Sequence, residues 1–270
     1  MKPARTWRAG ARSKALLAAL MLIGLPIAAR AQTPAVDRKA IVRQARAAYY
    51  RARDMGLVGL RATVRPNWQT IFDPFPTEPS AVKMLNGLHY TMEMTANGDV
   101  EIHPVMDVAP RNSFEKSRLD IISADIKELV SDFFSISAPF VLHSPFPEVD
   151  ADYELIDEGQ TYRLSYRDGR MVTTMSKTFV ITEMKITAPD AVTLFRPQFI
   201  SVRGGLLLSS YEMDIAPIGA VDKRHLSVQI KYQEANGYQL PALVKTSASQ
   251  RSESFENAEF AFSNYTVTRR

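Results

Sequence analysis

The sequence predicts an α+β domain, in which a large curved antiparallel sheet forms an unclosed β-barrel and two or three helices cover its concave side. Two observations carry this prediction. Many short apolar segments separated by glycine turns follow residue 153, and two amphipathic helical stretches precede them. Ten or more strands rarely stay flat, so we expect the sheet to curl. The helices then bury their apolar stripes against its concave side.

The first 31 residues are typical of a cleavable secretion signal. A cationic start precedes the uncharged apolar run Ala15–Ile27, and Ala29-Arg30-Ala31 supplies the small-x-small cleavage pattern. The run has 13 residues, whereas a membrane-spanning helix needs about 20. We therefore expect no transmembrane anchor after cleavage and a periplasmic or secreted protein. Residues 32–37 are predicted to be a flexible leader and 38–270 a single domain.

Removal of this signal changes the charge of the chain. The whole chain has 33 Lys and Arg against 29 Asp and Glu, and six of the basic residues lie in the first 31 positions. The remaining domain has 27 basic against 29 acidic residues. It lacks the broad positive field that attracts nucleic acid, so no nucleic-acid partner is expected. The chain has no cysteine, so no disulfide supports it.

Three helices are predicted from apolar periodicity. The first begins at the capping residue Asp37 and ends near Gly56. A short helix covers Ser80–Leu85. A long amphipathic helix covers Phe114–Ser137, ends at Pro139 and leads into a loop rich in proline and aromatic residues.

An early strand and a hairpin are predicted between these helices. Leu57–Trp68 alternates apolar and polar residues, and an irregular segment follows it. His89–Thr95 and Asp99–Val105 flank Asn97-Gly98, a dipeptide that favours a two-residue hairpin turn. This turn would place Ala96 opposite Asp99.

From residue 153 onward the sequence predicts a meander of neighbouring antiparallel strands joined by short turns. The predicted strands cover residues 153–157, 160–166, 170–175, 177–187, 191–196, 199–203, 206–214, 225–233, 240–249 and 258–268.

Catalytic and metal-binding patterns are weak in this sequence. The histidines His89, His103, His143 and His225 have no metal-ligand spacing. The predicted hairpin turn places His89 opposite Met106 and His103 opposite Met92, so these two histidines are not direct partners. No G-x-S-x-G elbow is present. We therefore expect neither catalytic residues, nor a metal site, nor a cofactor.

Acidic residues alternate at Glu148, Asp150, Asp152 and Glu154. Carboxylates in this arrangement can bind calcium, but the calcium-loop pattern with its glycine is missing. A solvated acidic strand edge, which discourages aggregation, is the favoured interpretation.

Methionines and loop aromatics are the most informative apolar residues. Methionine packs around irregular apolar shapes and can line a cavity for an acyl chain, or it can fill gaps in an ordinary core. The loop aromatics can likewise form a lid or plug the open end of the sheet. The candidate ligand-binding residues are Trp68, Phe72, Met92, Met94, Ile126, Phe133, Met175 and Met184.

Four segments in the last third carry a family resemblance. These are Gly205–Leu208, Val228–Tyr232, Asn236–Pro241 and Phe262–Val267. With the order of the predicted elements, they resemble the closing hairpins of the bacterial lipoprotein-carrier and outer-membrane lipoprotein-sorting superfamily. The resemblance implies an unclosed barrel with helices over its mouth and an apolar cavity for lipid chains.

The expected function is therefore non-enzymatic binding of a hydrophobic ligand, a lipid or an acylated protein, in the concave face of the half-barrel. Two alternatives remain open. The same fold could serve as an envelope protein-interaction or sensory module without a ligand, or the chain could be a hydrolase with an unrecognised site.

Overall fold

The computed structural model describes residues 37–72, 75–95, 97–219, 223–248 and 257–270. The predicted signal and residues 32–36 of the predicted leader lie outside these ranges. Contacts group Val36–Arg270 into one compact unit.

Helices and strands alternate in the first half of the described chain, and strands alone make up the second half. The helices are α1 (Arg38–Ala47), α2 (Trp68–Ile71), α3 (Pro79–Asn86) and α4 (Ser113–Val141). The strands are β1 (Leu57–Pro66), β2 (Leu88–Thr95), β3 (Val100–Met106), β4 (Tyr153–Asp157), β5 (Thr161–Tyr166), β6 (Met171–Ser176), β7 (Ile181–Thr187), β8 (Ala191–Val202), β9 (Gly205–Pro217), β10 (Arg224–Ala235), β11 (Tyr238–Ala248) and β12 (Asn257–Arg269).

All twelve strands of the described ranges belong to one antiparallel sheet with the order β3-β2-β1-β12-β11-β10-β9-β8-β7-β6-β5-β4. The sheet is curved and does not close, because β3 and β4 are its two edges. Strands β4 to β12 form the predicted meander. Strands β1 to β3 form a second group, which is joined to this meander because β1 pairs with β12. The predicted α+β class with a large curved open sheet is confirmed.

Helix α4 lies against the buried face of the sheet, which we call the inner face. The rings of Phe133 and Phe134 lie 6.4 and 5.7 Å from the ring of Phe262 on β12. Closer to the C-terminal end of α4, Phe140 stacks on Phe195 of β8 at 5.3 Å. The helix therefore crosses several strands and buries its apolar stripe against them.

The end of α4 differs from the prediction, because Pro139 lies inside the helix. Proline removes one backbone donor, but the next turn still closes where the amide of Leu142 donates to the carbonyl oxygen of Ala138 at 2.8 Å. Phe140 and Val141 are both buried. Their burial keeps the last turn helical and shortens the predicted loop.

Helix α1 ends earlier than predicted, at Ala47 instead of near Gly56. The chain leaves the helix to pair with the start of β9. The amide of Leu206 donates to Ala48 O at 2.8 Å, and the amide of Tyr50 donates to Leu206 O at 2.9 Å. The predicted start is confirmed, since the Asp37 carboxylate accepts from the amide of Ala40 at 3.0 Å.

The register of the β2–β3 hairpin is shifted by one residue from the prediction. Leu88 pairs with Met106, and Met94 pairs with Val100. The amide of Gly98 donates to Thr95 O, and Gly98 itself has a φ of 92°. This pattern is typical of a three-residue loop, which is one residue longer than the predicted turn. The conclusion that the two hairpin histidines are not partners is unchanged.

Several other boundaries differ from the predictions, and the larger differences are the following. Strand β1 ends at Pro66 instead of the predicted Trp68, which begins the short helix α2 that continues into the segment predicted to be irregular. Residues 177–180 form a turn rather than the start of β7. The two predicted strands over 191–203 are one strand, β8, with Pro197 inside it and a bulge beside Gln198.

Candidate ligand-binding cleft

An open cleft of about 640 Å³ lies between the end of α4, residues 143–152 and the inner face of strands β5 to β9. Its sheet wall carries apolar side chains from five neighbouring strands. These are Tyr166, Met171, Met184, Ile186, Phe195 and Met213. Ile136, Pro139 and Phe140 of α4 form the facing wall.

Three methionines make this sheet wall adaptable. Met171, Met184 and Met213 come from β6, β7 and β9. The flexible, polarisable thioether side chain can repack around ligands of irregular shape. Apolar walls with a few polar groups are typical of small-molecule sites.

Arg46 of α1 holds the loop that completes the cleft. Its Nη1 donates to the carbonyl oxygens of Phe146 at 2.9 Å and Pro147 at 2.8 Å. Its Nη2 forms an ion pair with Glu148 at 2.6 Å. The exposed pair Lys39–Asp150, also 2.6 Å, ties the same loop to the start of α1. Helix α1 therefore fixes the position of residues 143–152.

Two buried tyrosines support the loop of residues 143–152. The hydroxyl of Tyr166 donates to Pro145 O at 3.1 Å. The ring of Tyr49 lies edge-on to Phe146 with centroids 5.4 Å apart, while its hydroxyl donates to Phe179 O at 2.9 Å. Burial raises the pKa of both hydroxyls, so both remain protonated donors at neutral pH.

Four ionisable residues other than tyrosine line the cleft: His143, Glu148, Asp152 and Arg167. Glu148 is paired with Arg46, and His143 Nδ1 lies 3.5 Å from a guanidinium nitrogen of Arg53. Within the described part of the chain, the side chains of Asp152 and Arg167 make neither an ion pair nor a hydrogen bond. The cleft therefore offers one free carboxylate and one free guanidinium.

The eight predicted ligand-binding residues are dispersed across the structure, and of them Met184 lines the cleft. The others belong to the packed interior or its margin. Met92, Ile126 and Met175 are fully buried, Trp68, Met94 and Phe133 are almost so, and partly buried Phe72 stacks on Trp68. A ligand contact at these seven positions remains a prediction.

Sequence reasoning missed most of the sheet wall. Phe195, Ile186 and Tyr166 lie in ordinary alternating strands, where nothing local marks a cleft. Met171 and Met213 belong to the methionines, and Phe146 to the loop aromatics, that the sequence indicated as possible lining of a cavity. Arg167 carried no such signal, because an arginine beside an Asp-Gly turn is typical of a solvated hairpin.

The histidines lie on four different elements: β2, β3, the segment after α4, and β10. His225 on β10 lies 2.7 Å from Asp214, which also pairs with Arg196 at 2.7 Å. Arg196 extends this chain of charges to Glu183 on β7 at 3.4 Å. Within the described ranges, no group of three His, Cys, Asp or Glu side chains is arranged to hold a metal ion.

Comparisons of the chain with known protein families, with curated proteins and with solved structures find no match. Among the residues that the structure describes, no helix combines the length and apolar character needed to cross a membrane.

Proposed function

We propose that this chain is an exported, periplasmic or secreted protein that binds a hydrophobic ligand, a lipid or an acylated protein, without catalysing a reaction. The observation that supports this proposal is the apolar cleft between α4 and strands β5 to β9. The membership in the lipoprotein-carrier superfamily that the resemblance implies is part of the same proposal.

The size of the cleft suits one acyl chain. A methylene group takes up roughly the volume of a water molecule in the liquid, about 30 Å³. A volume of about 640 Å³ therefore holds about twenty such groups. Each methylene removed from water contributes about 0.8 kcal/mol before the cost of ordering the chain. One long chain is thus enough for measurable affinity.

The direct test is to purify the protein from the periplasm, extract it with organic solvent and identify the extract by mass spectrometry. We expect a co-purified lipid, and we expect the stripped protein to take up a fluorescent fatty acid. Recovery of an unliganded protein that takes up no fatty acid would overturn the proposal.

Filling the cleft is expected to weaken binding. Ile186 is half-buried in the sheet wall, so Ile186→Trp places an indole where the chain would lie. We expect the dissociation constant for the fluorescent fatty acid to rise about tenfold or more, which corresponds to about 1.4 kcal/mol or more. Fluorescence titration measures this change.

Ile200→Trp is the matched control, because Ile200 lies on β8, is 44% exposed and does not line the cleft. We expect it to bind the fatty acid as the unchanged protein does. Equal weakening in both variants would mean that the cleft is not the binding site.

A second candidate function is the binding of an envelope protein at the β3 edge of the sheet. Val105 and Met106 on this edge strand are exposed, as are Phe114 and Ile121 on α4, at 65% and 62%. Edge strands can receive a strand from a partner. A photo-crosslinking residue at position 121 should then capture a defined envelope protein in cells, whereas one at the exposed Ile218 should not.

A further inference from the structure

We propose that the cleft selects a single-chain amphiphile with a zwitterionic headgroup, whose anionic group binds Arg167 and whose cationic group binds Asp152. This inference rests on the proposed function, since it names the class of ligand that the cleft takes.

The two charges stand at the same end of one strand pair. Tyr153 on β4 pairs with Tyr166 on β5. Asp152 directly precedes Tyr153 and Arg167 directly follows Tyr166, so the two residues lie at the same end of this strand pair. Both line the cleft and both are exposed. In the described structure, their charged groups nevertheless form no ion pair with each other.

The other ionisable groups of the cleft are already engaged. Glu148 is held by Arg46, and His143 faces Arg53. A ligand headgroup therefore meets one available positive group and one available negative group. An anionic headgroup would be attracted by Arg167 and repelled by Asp152, whereas a headgroup with both charges can satisfy both.

The backbone at Arg167 supports a role for its side chain. Arg167, Asp168 and Gly169 have φ values of 54°, 55° and 77°. Glycine adopts this left-handed region readily, and asparagine tolerates it, but arginine adopts it rarely. The amide of Thr187 on β7 donates to Arg170 O at 2.8 Å and anchors the turn. Unfavourable backbone conformations that the surrounding structure maintains are concentrated at ligand-binding sites.

The chemistry of the two groups identifies the headgroup. A guanidinium binds a phosphate through two parallel hydrogen bonds, and a carboxylate binds an ammonium group. A phosphate linked to an ammonium group by a short spacer matches two charges of opposite sign at the same end of one strand pair. The volume of the cleft, about 640 Å³, accommodates one long chain.

The test compares three ligands that carry the same saturated chain: a lysophosphatidylethanolamine, a fatty acid and a fatty alcohol. Each displaces a fluorescent probe from the full chain below its micelle-forming concentration. We expect the zwitterion to bind about tenfold more tightly than either of the others. If all three bind equally well, or if the fatty acid binds best, the headgroup inference is overturned while the proposed function stands. If none binds, the proposed function itself fails.

Two substitutions test the roles of the individual charges. Arg167→Asn should abolish the preference for the zwitterion over the fatty alcohol. Because asparagine tolerates the left-handed backbone, this variant should keep an unchanged or higher urea midpoint. Asp152→Asn should reduce the preference for the zwitterion over the fatty acid about tenfold, because the repelling charge is removed.

Matched controls come from the same turn. Arg170→Asn and Asp168→Asn make the same charge changes at residues that do not line the cleft. Both controls should keep the full headgroup preference. A loss of preference in the controls equal to that in Arg167→Asn and Asp152→Asn would overturn the assignment.

Discussion

Replacing Gly205 with alanine is expected to lower the free energy of unfolding by about 2–6 kcal/mol, as the sum of backbone strain and overpacking. Gly205 has a φ of 127°, which L-residues with a side chain rarely adopt. A Cβ at this position would lie 2.6 Å from the carbonyl oxygen of Ala48 and 2.9 Å from the amide nitrogen of Tyr50. These are backbone atoms, so they cannot move aside as a side chain can. Urea unfolding followed by circular dichroism measures the loss.

The variant Gly159→Ala separates the cost of backbone strain from the cost of overpacking. Gly159 also has a positive φ, 86°, but its Cβ would meet nothing within 4 Å. This variant should lose only the backbone contribution, about 1 kcal/mol. If the two variants lose the same amount, the added Cβ at position 205 meets no overpacking, and the expected clash with the backbone of Ala48 and Tyr50 is wrong.

The protein is expected to unfold as the pH rises above about 10, the ordinary pKa of tyrosine. Burial raises the pKa of seven tyrosine hydroxyls above that value. They belong to Tyr49, Tyr50, Tyr90, Tyr166, Tyr211, Tyr232 and Tyr265.

The sign of the effect follows from proton linkage. Each neutral hydroxyl stabilises the folded state fully below the unfolded pKa, and this contribution is lost as the pH rises towards the folded pKa. For Tyr90, whose pKa is raised to about 12, that window runs from about pH 10 to about pH 12. Within its own window each tyrosine removes at most about 1.4 kcal/mol per pH unit.

Tyrosinate absorbance and far-ultraviolet circular dichroism, recorded during one alkaline titration, measure this coupling. We expect most tyrosines to ionise together with the loss of sheet structure. Tyr232→Phe removes one titrating group, whose hydroxyl donates to Leu208 O at 2.6 Å, and should make the stability less steeply dependent on pH. Complete ionisation with the sheet intact would show that the hydroxyls are accessible to solvent.

The sheet was largely predictable, because its strands alternate apolar and polar residues in register with the buried face. Val228 and Ile230 are buried while Gln229 and Lys231 are exposed, as the local pattern predicts. The ends of helices were less predictable. Helix α1 ends where Tyr50 finds a backbone partner in Leu206, more than 150 residues later in the chain, and no local signal reports such a contact.

The cleft was predictable only as a type of site. The sequence indicated an apolar ligand and adaptable methionines, and Met184 is the predicted residue that lines the cleft. The position of the cleft depends on where α4 crosses the sheet. It also depends on Arg46, which holds the loop of residues 143–152 through hydrogen bonds to backbone carbonyl groups. Helix crossing and contacts to carbonyl groups leave no periodic trace in a sequence.

The strand order also has a consequence for folding. Every neighbouring pair in the sheet joins consecutive strands except β1 and β12, where Leu57 pairs with Arg269. A meander of three strands and a meander of nine strands therefore meet at one seam, which forms only when β12 pairs with β1. Closing so long a loop carries a larger entropy cost than forming a local hairpin, and pairings distant in sequence are slow to form. Without β12, strands β1 and β11 would be unpaired edges in addition to β3 and β4, so the pairing of β12 completes the sheet.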